Sequence, residues 1–307
     1  MKDYLSRSIS SLNRNKLNGL IAEIEFRNYI NDLNFRDKVS IGGWIARNVG
    51  PGSFAHDTVV LFPNTIFPVV DYSPENQLPS PSHGLHTICA TFHQLGIKSY
   101  FCTPVINMDE NPSSIQWHAV QLGVPTQQPY TSFPVELQGF TPRSRRYNFL
   151  RYHTDVSAIP EHSIPEEFSK EHLRVAFQNQ YLVELSDIDG ILWGNQYTYP
   201  IEIKEKTAAS DRHLGEYFGL DVGPFVKLAF YAAKRGNLHS IFVVREIDNV
   251  ETRGLINWLF ITYEHLAQYA SWIPQGGGTN MLGGRSSVVR IPKSEFNVLS
   301  ERTISNL

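Results

Sequence analysis

The chain has 307 residues, with 27 Lys and Arg against 30 Asp and Glu, and a formal net charge of −3. That length allows one large domain or two, and a hydrophobic fraction of 41% is ordinary for a globular protein. The charge excludes a polycation that coats nucleic acid nonspecifically, but it leaves room for an enzyme with one local basic surface.

No apolar run approaches the roughly 20 residues of a membrane span. The stretch Met1–Ser6 has no apolar core, so no signal peptide is expected. The two cysteines, Cys89 and Cys102, exclude a cysteine-rich zinc site and suggest an unpaired, cytoplasmic pair rather than a disulfide. There is no internal repeat, and the chain is expected to fold from near residue 15 to near residue 298.

Lys16 to Asp32 predicts a helix, with Leu17, Leu20, Ile21 and Ile24 as its apolar stripe. A strand follows over Lys38 to Ala46, then a short apolar run over Asp57 to Phe62. Asn64 to Pro81 is rich in Pro, Ser and Asn and reads as loops. His86 to Leu95 predicts a helix ended by Gly96, and Ser99 to Ile106 a strand. Met108 to Pro142 mixes prolines with short apolar segments and predicts no element.

Pro165 to Asn179 predicts a helix with Ser163 as N-cap and Glu166 and Glu167 in its first turn. Leu214 to Arg235 predicts a second, with Phe225 to Ala233 its densest apolar part. Ser240 to Ile247 is a buried strand, Trp258 to Tyr269 a helix or partly strand, Gly276 to Gly284 a glycine-rich loop, and Ser287 to Ile291 a last strand. This order predicts an α/β (α+β) fold with a mixed sheet flanked by helices. Its division is expected at 1–60, 61–160 and 161–307, the middle part being a large insertion or subdomain.

Between the helices predicted over Pro165 to Asn179 and Leu214 to Arg235 lies the most informative stretch. Leu185 to Gly194 and Tyr199 to Lys204 are two apolar runs joined by Gly194-Asn195-Gln196, a hairpin signal. The hairpin folds Asp189 back beside Glu202. Glu202 and Lys204 point the same way, because side chains alternate along a strand. Two carboxylates and an ammonium at one sheet end suit a hard divalent cation and metal-assisted phosphodiester hydrolysis. Asp187 is a reserve ligand. Lys206 continues the Lys204 face, and a solvated strand end is the simpler reading of it.

Asp189, then Glu202-Ile203-Lys204 on the next strand, with a helix and a strand after them, resembles the PD-(D/E)XK nuclease superfamily of type II restriction endonucleases. Twelve residues separate Asp189 from Glu202, and Ile188 stands where the family's Pro is usual. The resemblance covers about residues 15–45 and 175–250. It implies a restriction-endonuclease-like core and a sequence-specific, Mg2+-dependent double-stranded DNA endonuclease, with Mn2+ as a substitute. It implies Asp189, Glu202 and the Ile203 carbonyl as metal ligands and Lys204 on the attacking water. A supporting glutamate would come from the first helix, Glu23 or Glu25. A homodimer would match a palindromic site.

Arg143, Arg145, Arg146 and Arg151 lie among Tyr147, Phe149 and Tyr152, a composition suited to phosphate contacts and base stacking. A solvated basic loop explains them equally well. Gly276 to Arg285 lacks the Gly-Lys-Ser/Thr of a P-loop. His83, His86 and His93 read as structural. The rival functions are a structure-directed repair or recombination nuclease of the same fold, and a noncatalytic nucleic-acid-binding protein whose acidic cluster is an ion-pair network.

Overall fold

The computed structural model describes residues 1–9, 14–35, 38–40, 42–50, 58–64, 69–70, 78–106, 111–126, 128–133, 139–145, 155–233, 237–270, 275–276 and 287–307. Among them the protein is mixed α/β, with seven α-helices and three sheets, two of them mixed. None of these helices is long and apolar enough to cross a membrane. The chain divides into two compact units: Met1–Ile21 with Ser40–Ile188, and Ala22–Val39 with Asp189–Leu307. Helix α2 (Arg14–Asp32) runs through the first boundary, and the two-residue strand β1 (Val39–Ser40) sits on the second.

The first unit is built on one mixed sheet of β2 (Gly43–Asn48), β3 (Thr58–Pro63), β4 (Val69–Val70), β5 (Lys98–Ile106), β6 (Gln116–Leu122), β7 (Thr131–Ser132) and β8 (Val183–Ile188). The spatial order is β7-β6-β5-β3-β2-β8, with β4 also paired to β5. Strands β3 and β5 are parallel. Parallel neighbours need a crossover, and the segment between them carries helix α3 (His83–Gln94). This helix starts three residues earlier than expected because the Ser82 hydroxyl accepts from the Leu85 amide and caps it. Gly96, at φ +75°, follows its end. At the end of β6, Gly123 has φ +71°, and a Cβ there would meet the Cys89 carbonyl oxygen at 2.3 Å, so only glycine lets the chain pass α3.

Helix α4 (Ile164–Gln180) covers this sheet with Leu173 and Phe177, both fully buried, against Trp44, Tyr100 and Trp117. Ser163 makes no side-chain cap, because a 3₁₀ turn over Glu161–Ser163 runs straight into the helix and leaves Ser163 itself helical. Helix α1 (Lys2–Ser8) precedes the expected start of the folded chain. Its Leu5 is fully buried, and Tyr4 meets Phe168 edge-on at 5.0 Å. A seven-residue helix carries too little periodic signal to be read from sequence. Cys89 and Cys102 are free and buried. Burial pushes the Cys89 thiol up to about 12 and the Cys102 thiol further in the same direction, so neither is a reactive thiolate.

The second unit contains β9 (Gly190–Trp193), β10 (Thr198–Lys206), β11 (Ala209–Asp211), β12 (Gly215–Asp221), β13 (Ile241–Ile247), β14 (Leu255–Thr262), β15 (Gln275–Gly276), β16 (Ser287–Pro292) and β17 (Asn297–Val298). One mixed sheet runs β1-β9-β10-β13-β14-β17, and a small antiparallel one runs β11-β12-β16-β15. The expected hairpin forms as β9–β10, with Gly190 opposite Ile201. Strands β10 and β13 are parallel, connected through β11, β12 and helix α5 (Val222–Ala232).

The helix predicted over Leu214 to Arg235 is therefore corrected: Gly215–Asp221 is strand. Phe218 and Leu220, two apart and both buried, face Ile291 and Val289 of β16. That two-residue alternation outweighed the helical reading. Trp258 to Tyr269 resolves into the end of β14 and helix α6 (Tyr263–Tyr269).

Two apolar layers sandwich the larger sheet. On one face Ala22, Phe26 and Ile30 of α2 pack on Ile201, Ile203, Ile241 and Val243. On the other, Leu228 of α5 joins Phe242, Val244, Leu259 and Ile261. The chain also stays folded beyond residue 298. Helix α7 (Glu301–Ser305) starts in a Ser300–Thr303 capping box and seats Ile304 and Leu307 in the first of these layers.

Candidate metal centre

The site lies in the second unit, at the point where β10 outruns its hairpin partner. The β9–β10 ladder ends at the Gly190–Ile201 pair. Two residues further, the Ile203 amide donates to Asp189 Oδ2 at 2.6 Å. Asp189 thus takes over the ladder with its side chain, which fixes a carboxylate that is only 3% exposed. Ile203 holds its side chain in the α2-facing core. In a strand the carbonyl of a residue leaves on the same side as its amide, so the Ile203 carbonyl belongs on the Asp189 side of β10.

Glu202 sits on the opposite face of β10, toward α5, and is 2% exposed. Its Oε1 pairs with Lys204 Nζ at 2.6 Å, and its Oε2 forms an ion pair with Lys227. An isolated buried carboxylate is costly, and here two ammonium groups offset that cost. The Lys204 side chain is 33% exposed and the Lys227 side chain 17%. Lys206, next on the same face, has its pKa lowered by burial; Asp221 pulls it up and Lys204 adds to the lowering.

Helix α2 brings the glutamates. Carboxylate oxygens of Glu23 and Asp189 come within 4.8 Å of each other, close enough to share a cation. Phe26, three residues on, anchors that side of the helix in the sheet. Asp187 is exposed and is carried by β8 of the first unit. Glu25 points elsewhere, into a network: it pairs with Arg245 of β13, which also reaches Glu205 at 2.9 Å, and Arg253 reaches the same Glu205 at 2.7 Å. The structure therefore separates the two candidate glutamates. Glu23 lies with Asp189, and Glu25 is committed to Arg245.

Two participants were not legible in the sequence. Lys227 lies 25 residues past Glu202 in a run read only as core helix. Arg245 sits in a strand read as buried, with no role given to its charge; it is 6% exposed, and the adjacent Glu246, 2% exposed, pairs with Lys293 at 2.6 Å. A charge inside a buried strand implies a partner, and that was the available signal for Arg245.

Of the arginine-rich segment, Arg143 is half-buried and donates from Nε to the Tyr181 carbonyl at 3.3 Å, while Arg145 is exposed. Arg146 and Arg151 lie outside the described residues, as does nearly all of the Gly276–Arg285 loop. His86 ties α3 to the end of β6 through the Val124 carbonyl at 3.1 Å, which is a structural role.

The fold and site define an α/β protein with a buried carboxylate–lysine pair on the central strand β10 and an amide-held aspartate beside it. No family model, curated protein or solved structure matches this chain.

Proposed function

We propose that the protein is a metal-dependent endonuclease acting on double-stranded DNA, related in its core to the PD-(D/E)XK nucleases. One observation carries the reading. Next to one another along β10, the Ile203 amide holds Asp189, which has Glu23 beside it, and the buried Glu202 carries two ammonium groups, one from β10 and one from α5. Strand pairing also supports it: a hairpin leads into β10, and a helical crossover returns in parallel at β13.

Asp189 and Glu23, whose carboxylate oxygens lie within 4.8 Å of each other, would hold Mg2+, with Mn2+ as substitute, because hard carboxylate oxygens suit these ions; Glu202 would join them only by exchanging a lysine partner for the ion. The ion would polarise a phosphoryl oxygen and lower the pKa of a bound water. The protein's own groups do the rest. Lys204, a third exposed, is the mobile partner of Glu202. It leaves Oε1 to orient the attacking water or to meet charge developing on phosphorus. Lys227 stays on Oε2. Attack at phosphorus would leave 5′-phosphate and 3′-hydroxyl ends. A homodimer would cut both strands of a symmetric site.

A specific observation also favours a second reading, a noncatalytic nucleic-acid-binding protein. Both Glu202 oxygens carry ammonium partners, as in a purely structural ion-pair network. Incubation of the full chain with plasmid or phage DNA, in Mg2+ and in chelator, separates the two. Discrete Mg2+-dependent fragments, lost in Glu202→Ala and in Lys204→Ala, support the sequence-specific nuclease. A smear moves the assignment to a structure-directed nuclease. DNA bound but intact selects the binding protein.

A further inference from the structure

On β10 the side chains of Glu202, Lys204 and Lys206 leave from one face, because a strand alternates. Their neighbours on β13 fix which face it is. Glu202 lies opposite Phe242, Lys204 opposite Val244 and Lys206 opposite Glu246, and Phe242 and Val244 belong to the layer beneath α5. The sequence alone makes Lys206 a solvated strand end. The structure corrects this: Lys206 is half-buried.

An ammonium partly out of water needs a partner, and the acids beside Lys206 are already engaged. Glu202 holds Lys204 and Lys227. Glu246 Oε1 holds Lys293 at 2.6 Å, and its Oε2 accepts from Asn257 at 3.5 Å. Asp221, at the start of α5, acts on Lys206 through space. It raises the lysine's pKa against the larger lowering by burial, to which Lys204 adds. Among the described residues no carboxylate pairs with the Lys206 ammonium within 4.0 Å.

Position and spacing say what the partner is. Two residues along a strand cover about 6.6 Å. Successive phosphates of one DNA strand, with a sugar and two ester oxygens between them, are spaced comparably. A phosphate held at the metal centre beside Lys204 therefore brings the next one within reach of Lys206. The four-carbon lysine stem carries a point charge suited to that anion.

We infer that Lys206 takes the phosphate adjoining the scissile one on the same DNA strand and so positions the strand at the centre. The inference rests on the nuclease reading of this centre. It makes Lys206 a positioning residue, distinct from Lys204 at the reacting phosphate.

Fluorescence anisotropy of a labelled DNA duplex, in chelator so that no strand is cut, tests the contact. Lys206→Met should weaken binding about tenfold and make the slope of log Kd against log salt shallower by about one. Lys206→Arg should restore both. In Mg2+ the loss should fall on KM rather than kcat. A duplex with one neutral methylphosphonate linkage locates the contact. Moved along the strand, that linkage should find a position next to the cut where the wild type loses affinity and Lys206→Met loses no more.

The inference is overturned if Lys206→Met keeps the wild-type slope, or if every methylphosphonate costs it as much as it costs the wild type. Equal thermal destabilisation by Lys206→Met and Asp221→Asn, with DNA binding unchanged, would leave Lys206 as a partner of Asp221 alone. The two proposals fail separately. Cleavage by the wild type with an unchanged slope in Lys206→Met removes this inference and leaves the nuclease. DNA bound but uncut, with the slope lost in Lys206→Met, removes the nuclease and leaves the phosphate contact. A wild type that binds no DNA removes both.

Discussion

The two mixed sheets share a plan and differ in what they bury. In each, two parallel strands are bridged by a crossover that carries a helix: β3 and β5 by α3, β10 and β13 by α5. Strands β3, β5 and β6 of the first unit carry no buried charged side chain. Their buried polar groups are Ser99 and Thr103. The corresponding strands of the second unit bury Glu202, Arg245 and Glu246. Buried charges add little net stability and are costly when a partner is lost. In the first unit the buried charges lie instead on helix α4, as the pairs Glu167–Lys170 and Glu171–Arg174, so the two units differ in where they bury charge: on the helix in one, on two adjacent strands in the other.

The largest effect should come from breaking the centre. Lys204→Ala is expected to slow Mg2+-dependent cleavage by about 10²–10⁴-fold, with DNA binding retained in a mobility-shift assay. Unchanged cleavage would return Lys204 to a structural role.

Next come the two interiors. Phe177→Ala in the first unit removes a fully buried ring and should cost about 3–5 kcal/mol in urea unfolding. Arg245→Met in the second unit leaves Glu25 and Glu205 short of a partner and should cost about 3 kcal/mol, with faster amide exchange along Ile241–Ile247. If Arg245→Met proved neutral, the two sheets would not differ in what holds them.

The smallest effect concerns pH and belongs to the first unit. Burial lowers the His172 pKa below its ordinary 6.5, against the raising effect of its hydrogen bond to the Pro112 carbonyl. Below pH 6.5 the unfolded chain therefore binds more protons than the folded one. The stability His172 contributes is complete above 6.5 and is lost as pH falls through its lowered folded value. Thermal unfolding should show a declining midpoint from pH 7 to pH 5, and His172→Gln should flatten that decline. His118 and Glu171, both also lowered, contribute in the same direction, Glu171 only in the more acidic range. Burial raises its carboxyl, but Arg174 and Lys16 outweigh that.

Local signals carried much of the architecture. The α2 stripe, the Gly194–Gln196 turn, the buried run of β13 and the Gly96 stop each put their cause within a few neighbouring residues, and the structure places elements there. The elements that sequence misread depend on distant partners. Gly215–Asp221 is strand because Phe218 and Leu220 meet β16, some 70 residues away. Helices α1 and α7 are short and exist because Leu5 and Ile304 find cores elsewhere in the chain.

The site divides in the same way. The chain itself placed Asp189 opposite Glu202 through hairpin register, and Glu202 and Lys204 on one face through the two-residue period of a strand. Tertiary structure alone assigned Glu23 rather than Glu25 to the aspartate, brought Lys227 to the second oxygen of Glu202, and paired Arg245 with Glu205 across parallel strands. Strand period and turn geometry act over a few residues and are written locally. Which charge meets which across a sheet and a helix is set by packing over long range, where the cost of leaving any one of them unpaired selects the arrangement.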